Sequence, residues 1–211
     1  MPRTRLDLRK LVADRYGLPS ELPEWLDSNW INSRINEGQR EVSELTECVA
    51  GTCPISGTSN SRLYSLTKEF VRVTKVSWAN NSALTKKSVD QLEALQGANW
   101  RIDTGAPQYW YEEGARYIGV CPKVRAGSAA TLIAYGPRYA SEMSNDTATT
   151  EITTALHRAV VNYTCREIAA IDPRDSDGSG EARWDARYQN EVGKYKTIRP
   201  YAVTFEAPRN R

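Results

Sequence analysis

The chain has 211 residues, of which 40% are hydrophobic, with 28 basic and 26 acidic side chains and a formal net charge of +2. This near balance is atypical of a dedicated nucleic-acid-binding protein, which usually carries a clustered excess of Lys and Arg, and it is compatible with a neutral surface facing DNA. The length suits one large domain or two small ones and allows an apolar core.

The aromatic residues are skewed towards those that carry a polar atom, with 11 Tyr and 6 Trp against 2 Phe. Such side chains suit surfaces that become buried on assembly, and they equally suit the rim of a large core within one protomer. Composition alone leaves both interpretations open.

The cysteines and the apolar pattern indicate the compartment. The basic N-terminus has no apolar segment behind it and no run of about 18 apolar residues occurs, so we expect no signal peptide and no membrane span. Assembly in a reducing cytoplasm predicts free thiols at Cys48, Cys53, Cys121 and Cys165, with a Cys48–Cys53 disulfide as the alternative. One His and no CxxC pair predict no zinc site.

Two helices are predicted at the N-terminal end. The first spans about 5–16, with Thr4 and Asp7 as a capping pair and Gly17 as the stop. The second begins at about residue 28 and places apolar residues at helical spacing near one face. These residues are Ile31, Ile35, Val42 and Leu45. The opposite face, which is typical of a solvated or subunit-facing surface, carries Arg34, Glu37, Arg40, Glu41 and Glu44.

The middle of the chain changes to a strand period. Residues 49–61 are rich in Gly, Ser, Thr and Asn and predict a loop. Glu112 and Glu113 precede Gly114 in a predicted hairpin turn. A short helix is predicted near 89–96. Strands are predicted at about 62–66, 70–78, 108–112, 116–121 and 129–135.

Helical period returns near the C-terminal end. A helix of about 150–170 is predicted to stop at Asp172-Pro173. A last helix of about 181–196 carries one aromatic and apolar stripe, formed by Trp184, Tyr188, Val192 and Tyr195. Residues 197–211 predict an extended basic tail with isolated apolar positions.

This order of elements predicts an α+β fold: an α-helical bundle with a β-rich insertion in the middle of the chain and an extended C-terminal arm. Residues 1–61 and 138–196 are assigned to the bundle, 62–137 to the insertion and 197–211 to the arm.

Residue patterns that carry catalysis are missing. The single histidine, His157, stands beside Leu156 on a predicted helix without neighbours typical of a triad, which favours a structural role. Glu112 and Glu113 are adjacent, so on a strand they point to opposite faces and do not flank one bond. The sequence therefore predicts that the protein is not an enzyme and binds no metal or cofactor. The alternative is a lysozyme-like activity in which a single Glu acts together with a distant Asp.

Several short segments follow one another in a specific order along the chain. They are LRKLVADR (8–15), WINSRINEGQRE (30–41), YSLTKEFVRV (64–73), GAPQYWY (105–111), IGVCP (118–122) and TLIAY (131–135). Their order resembles that in the head-to-tail adaptor (connector) proteins of tailed bacteriophages, especially short-tailed ones. The resemblance covers about residues 6–195. One departure is Val124, where such proteins often repeat a proline after Pro122.

The resemblance implies a virion protein at the head-to-tail junction that forms a closed ring, typically of twelve copies. The ring would lie beneath the portal protein and above the tail nozzle or tail-tube protein. It would surround the DNA channel, where contact with the genome is non-specific and weak enough to let the duplex slide. It also implies a helical bundle with a β insertion, in agreement with the element order.

Contact residues are predicted from residue type. Mixed charges on the second helix would pair between subunits, and buried aromatic residues would stabilise the ring. The subunit interface is assigned to Trp25, Trp30, Arg34, Arg40, Glu44 and Trp184. The hairpin residues Glu112 and Glu113 are assigned to the tail-facing side.

The C-terminal tail is assigned to portal binding. Its apolar residues are Ile198, Tyr201, Val203 and Phe205. Tyr201, Val203 and Phe205 alternate, so they share one side of an extended chain, which suits strand addition to a partner. A disordered terminus is the alternative.

Three other functions stay open. The protein would be a different neck or tail component, such as a tail terminator or stopper, or a virion-associated cell-wall glycosidase, or a host DNA-binding module. The position of the protein in the particle would identify another neck or tail component. Cleavage of cell wall would identify a glycosidase, and salt-dependent binding to duplex DNA would identify a DNA-binding module.

Overall fold

In a computed structural model, the described residues are 2–57, 61–78, 82–114, 116–125, 130–175 and 177–198. Helices occur towards both ends of this part of the chain and strands in its middle. The contacts divide it into a helical unit, 2–49 with 139–198, and a β-rich unit, 50–138. The predicted α+β class is confirmed.

The helical unit contains α1 (Arg5–Tyr16), α2 (Ser28–Thr46), α4 (His157–Ile171) and α5 (Ser179–Ile198). Helix α4 is central, because α1, α2 and α5 all pack against it. Most of its residues are buried, including Val160, Tyr163 and Ile168. Side chains on several faces of α4 are therefore withdrawn from water, which is typical of the core helix of a bundle.

The predicted caps of α1 are confirmed. Thr4 accepts a hydrogen bond from the Asp7 backbone N–H at 3.2 Å, and Asp7 accepts one from the Thr4 N–H at 3.0 Å. Gly17 ends the helix at φ 82°, a left-handed conformation that favours glycine. Arg5 and Arg9 both donate to the carboxylate of Asp146, at 2.9 and 2.8 Å, and so fix α1 to the segment before α4.

Two helix predictions are corrected. Leu45, expected on the buried face of α2, is 39% exposed; it lies in the last turn of the helix, which ends at Thr46. The helix predicted from residue 150 begins at His157 and follows a short 3₁₀ turn, Thr154–Leu156. The Thr150 hydroxyl accepts from the Ile152 N–H at 3.1 Å and thereby competes with helical pairing there.

The β-rich unit contains two four-stranded sheets. The first has the order β1 (Ala50–Gly57), β10 (Ala130–Pro137), β3 (Lys75–Trp78), β4 (Ser82–Ala83). The second has the order β2 (Leu63–Ser65), β8 (Tyr117–Cys121), β7 (Tyr109–Glu112), β5 (Thr85–Lys86). A two-stranded pair joins β6 (Thr104–Gly105) to β9 (Lys123–Val124), and α3 spans Val89–Gln96.

Residues from both sheets form one apolar core, which includes Ile55, Trp110, Ile118 and Leu132. A smaller cluster brings α3 and the second sheet together and consists of Leu92, Trp100, Tyr111 and Cys121.

The loop predicted at 49–61 is wrong over residues 50–57, which form β1. This strand pairs antiparallel with the whole of β10 and buries Cys53 and Ile55. Its small residues and Pro54 give a weak strand pattern, so its pairing depends on a partner that is distant in the chain.

We expect substitutions of two glycines to change stability in opposite directions. A Cβ on Gly136 would overlap the backbone carbonyl oxygen of Arg72, whereas a Cβ on Gly193 meets nothing within 4 Å. Gly136→Ala is therefore expected to lower the free energy of unfolding by about 1–3 kcal/mol. Gly193→Ala, in α5, is expected to raise it by about 0.5–1 kcal/mol. Urea titration followed by circular dichroism and tryptophan fluorescence measures the free energy of unfolding of both variants. Equal effects of the two substitutions would contradict the close packing described at Gly136.

We expect Asp172 to make the helical unit sensitive to acid. Its carboxylate accepts from Arg174 at 2.7 Å and from the Tyr16 hydroxyl at 2.9 Å, and these bonds hold the pKa of Asp172 well below its ordinary value. The stabilisation is present above the unfolded pKa of about 3.9 and is lost as the pH falls towards the folded value.

Asp172→Asn should accordingly cost about 1–3 kcal/mol at neutral pH and flatten the loss of stability in acid. Thermal unfolding followed through the helix signal across the acid range measures both effects. Glu21→Gln, at an exposed loop position, is the matched control and should leave the curve unchanged.

Candidate assembly surfaces

Some of the charges on α2 are used inside the protomer. The Tyr188 hydroxyl of α5 donates to Glu41 at 2.8 Å. Arg34 pairs with Glu37 and lies 3.9 Å from Glu167 of α4. The contacts with Tyr188 and Glu167 join α2 to α5 and α4, and the assignment of Arg34 to a subunit interface stays a prediction.

Arg166 of α4 is the centre of the same polar seam. Its guanidinium lies over the rings of Tyr163 and Tyr188, at 4.6 and 5.6 Å from their centroids, and it donates to Asp185 at 3.1 Å. Because the Tyr188 side chain is fully buried and its hydroxyl bonds to Glu41, the pKa of Tyr188 is raised. Sequence reasoning missed this seam, although Tyr163 and Arg166 stand at helical spacing.

The outer side of α2 carries the charges that face away from the core. Ser33, Glu37, Arg40 and Glu44 recur at intervals of four, three and four residues, which places them on one stripe, here called the α2 ridge. Arg40 lies over the ring of Tyr139 at 4.1 Å. Glu44 is exposed, and its carboxylate has no ion pair within the described ranges. Arg40 and Glu44 therefore lie on the same exposed side of α2, and their role at a subunit interface stays a prediction.

The three tryptophans assigned to the interface differ in burial. Trp184 is only 3% exposed, so its assignment to a subunit interface is corrected: it belongs to the core of its own protomer. Tyr16 stacks on it with ring centroids 6.2 Å apart, and Arg187 lies 4.5 Å from its ring. Trp25 and Trp30 are half-buried and pack against the same core, with the Arg34 guanidinium 5.2 Å from the Trp30 ring.

The predicted hairpin is present. Glu113 donates its backbone N–H to the Tyr117 carbonyl at 3.0 Å, and Gly114 has φ 72°. Glu112 and Glu113 are both exposed, and Glu112 pairs with Lys86 at 2.9 Å. Their role towards the tail stays a prediction.

The predicted portal-binding arm lies largely outside the described residues. Helix α5 continues to Ile198, two residues beyond its predicted end. Tyr201, Val203 and Phe205 fall outside the described ranges.

His157 is buried at the start of α4. Its Nε2 bonds to the Ile152 carbonyl oxygen at 3.0 Å, and burial lowers the pKa of the ring, which keeps it neutral near pH 7. The bond ties the 3₁₀ turn to the helix that follows.

The chemistry of the remaining candidate groups is limited. All four cysteines are free. In the part of the chain that the structure describes, no three His, Cys, Asp or Glu side chains gather as metal ligands would. No helix in the described ranges combines the length and hydropathy needed to cross a bilayer.

Charges of α2 that are bonded inside the protomer and charges on the α2 ridge are expected to differ in their contribution to stability. Tyr188→Phe removes the buried donor to Glu41 and should lower the stability of the isolated protomer by about 1.5–3 kcal/mol. Glu44→Gln, on the α2 ridge, should change it by less than about 0.5 kcal/mol. Chemical denaturation of the two variants provides the comparison, and a large effect of Glu44→Gln would place this carboxylate inside the protomer's own network.

Comparison with known proteins supports the resemblance noted in the sequence. No curated protein matches the chain. A family model described as SU10 adaptor protein matches residues 3–210, which is nearly the whole chain. The chain therefore belongs to the SU10 adaptor protein family, consistent with a phage head-to-tail adaptor.

Proposed function

We propose that the protein is a structural virion subunit that forms a closed ring at the head-to-tail junction, joining the portal to the tail around the DNA channel. The family match over residues 3–210 is the observation that carries this proposal. Twelve copies is the number that the resemblance to short-tailed phage adaptors implies.

The helical unit supports ring formation. A cyclic ring needs two different surfaces on each subunit, because each copy contacts one neighbour through each of them. The α2 ridge is one exposed charged surface, and Glu37 connects it through Arg34 to the polar contacts that hold α2 to α4 and α5. A surface of this kind orients neighbouring copies, while exposed ion pairs add little affinity.

Two features are proposed to meet the partners of the ring. The segment after Ile198, with Tyr201, Val203 and Phe205 at alternate positions, binds the portal by strand addition. The hairpin with Glu112 and Glu113 faces the tail protein. A near-neutral net charge suits a lumen through which DNA slides without being gripped.

The surroundings of the candidate catalytic groups support a structural rather than an enzymatic role. His157 is neutral, buried and bonded to a backbone carbonyl, and Glu112 is held in an ion pair with Lys86. Neither group has the geometry of a general base next to a nucleophile. A zymogram on cell-wall substrate, with Glu112→Gln as the control, tests the glycosidase alternative.

The decisive experiment mixes the purified full chain with portal protein of the same phage. We expect the mass of the complex to increase by a fixed integral number of copies per portal ring, twelve if the resemblance holds. Electron microscopy of the particle should place the added density between portal and tail. Density elsewhere in the neck or tail would favour a terminator or stopper instead.

Removal of the arm tests its assignment. A chain ending at Thr197 should keep its helical circular dichroism and lose portal binding, because the binding residues are removed while the described helical core remains. The matched control substitutes Arg209 and Arg211 by Ala, which keeps Tyr201, Val203 and Phe205. Unaltered portal binding by the truncated chain would refute the arm's role.

A further inference from the structure

A groove opens between α1 and α5 over the N-terminal half of α4. The two helices meet at one end, through the stacked rings of Tyr16 and Trp184. Beyond that contact a cavity of about 690 Å³ separates them. This space is here called the α1–α5 groove. Its lining includes Leu11, Arg15, Ala155, Arg158, Val161 and Glu191.

The α1–α5 groove and α2 lie on opposite sides of α4. Val161 lines the groove, whereas Tyr163 packs on α2, where a Cβ on Gly38 would come within 2.8 Å of the Tyr163 ring. Two residues along an α-helix correspond to a rotation of roughly 200°. The helical unit therefore presents two different surfaces on opposite sides, which is the arrangement that a head-to-tail contact between copies requires.

The groove carries an excess of cations. Arg3, Arg15 and Arg158 line it together with two carboxylates, Asp14 and Glu191. Glu191 already pairs with Lys194 at 3.4 Å. The guanidinium of Arg158, which is exposed, has no ion pair with any residue that the structure describes. An acidic partner would therefore find unpaired positive charge here.

The α2 ridge has the complementary character. Glu44 stands on it as an exposed carboxylate together with Arg40, which is held over Tyr139, while Glu37 is already paired with Arg34. Glu44 is the exposed carboxylate of the ridge that has no ion pair in the described part of the chain. Leu45, the next residue along the chain, is 39% exposed and adds an apolar side chain at the C-terminal end of α2.

We propose that the α2 ridge of one copy docks into the α1–α5 groove of the next copy, with Glu44 facing Arg158. This inference rests on the proposed ring and assigns the two surfaces that close it. The charge contact orients the copies, and burial of Leu45 against the apolar part of the groove supplies attraction.

A second copy fits the groove better than a DNA backbone does. A phosphate chain needs a cationic surface without carboxylates, but Asp14 and Glu191 both line this one. The apolar side chains of Leu11, Ala155 and Val161 provide neither a hydrogen-bond donor nor a charge for a phosphate group. A helix with mixed charge and an adjacent leucine matches both parts of the lining.

Cysteine cross-linking in the presence of portal protein tests the contact. Glu44→Cys and Arg158→Cys are introduced together in a Cys48→Ser background, because Cys48 is the native thiol that is not fully buried. With a short bis-maleimide, the double variant should give a ladder of covalent oligomers up to the ring size. A mixture of the two single variants should stop at dimers, since each copy then has one reactive surface.

Each single variant alone should give no cross-linked product, because the contact joins unlike surfaces. A variant with Glu21→Cys in place of Glu44→Cys, at an exposed loop position, is the matched control and should not form the ladder. Dimers from one single variant would overturn the proposal by showing a two-fold contact.

Absence of the ladder from the double variant would also overturn the proposal, and the particle mass separates the two failures. A ring of normal mass without cross-links means that the ring closes through other surfaces, and the proposed function stands. No ring from the unsubstituted full chain with portal protein means that the proposed function fails together with the docking contact.

Discussion

Burial of α4 is the constraint on which the helical unit depends. This helix holds α1, α2 and α5 around it, and each of these helices covers a different part of its circumference. Gly38 lets α2 approach closely enough for Tyr163 to lie against its backbone. Trp184, Tyr188 and Val192 of α5 are buried in the same core. Because three helices leave one side of α4 less covered, the groove between α1 and α5 is a consequence of this packing.

Several polar groups in this core have partners within the protomer. Arg166 stacks on two tyrosines and donates to Asp185, Tyr188 donates to Glu41, and Asp172 ties the end of α4 to Tyr16. Buried charges cost free energy unless they are paired in this way. The same pairing divides the charges of α2 into an inner set that stabilises one copy and an outer set that is available to another.

The residues predicted to form the subunit interface show that residue type alone does not tell whether a side chain contacts its own protomer or a neighbour. Trp184 and Arg34 were chosen because aromatic and charged side chains are common in interfaces, yet both contact their own protomer. Arg40 and Glu44 came from the same helix face and do lie on its outer side. Helical period gives the direction of a side chain relative to its own helix, but it does not say which neighbouring helices reach it. Those neighbours come from parts of the chain far away in sequence.

The sequence by itself determined the α+β class, the caps of α1, the hairpin at Gly114 and the aromatic stripe of α5, because capping, turn chemistry and periodicity act over a few residues. Tertiary structure alone decided that residues 50–57 pair with β10, that α4 begins at His157, and that a groove lies between α1 and α5. Each of these depends on contacts between segments that are distant along the chain, and local patterns carry no record of such contacts.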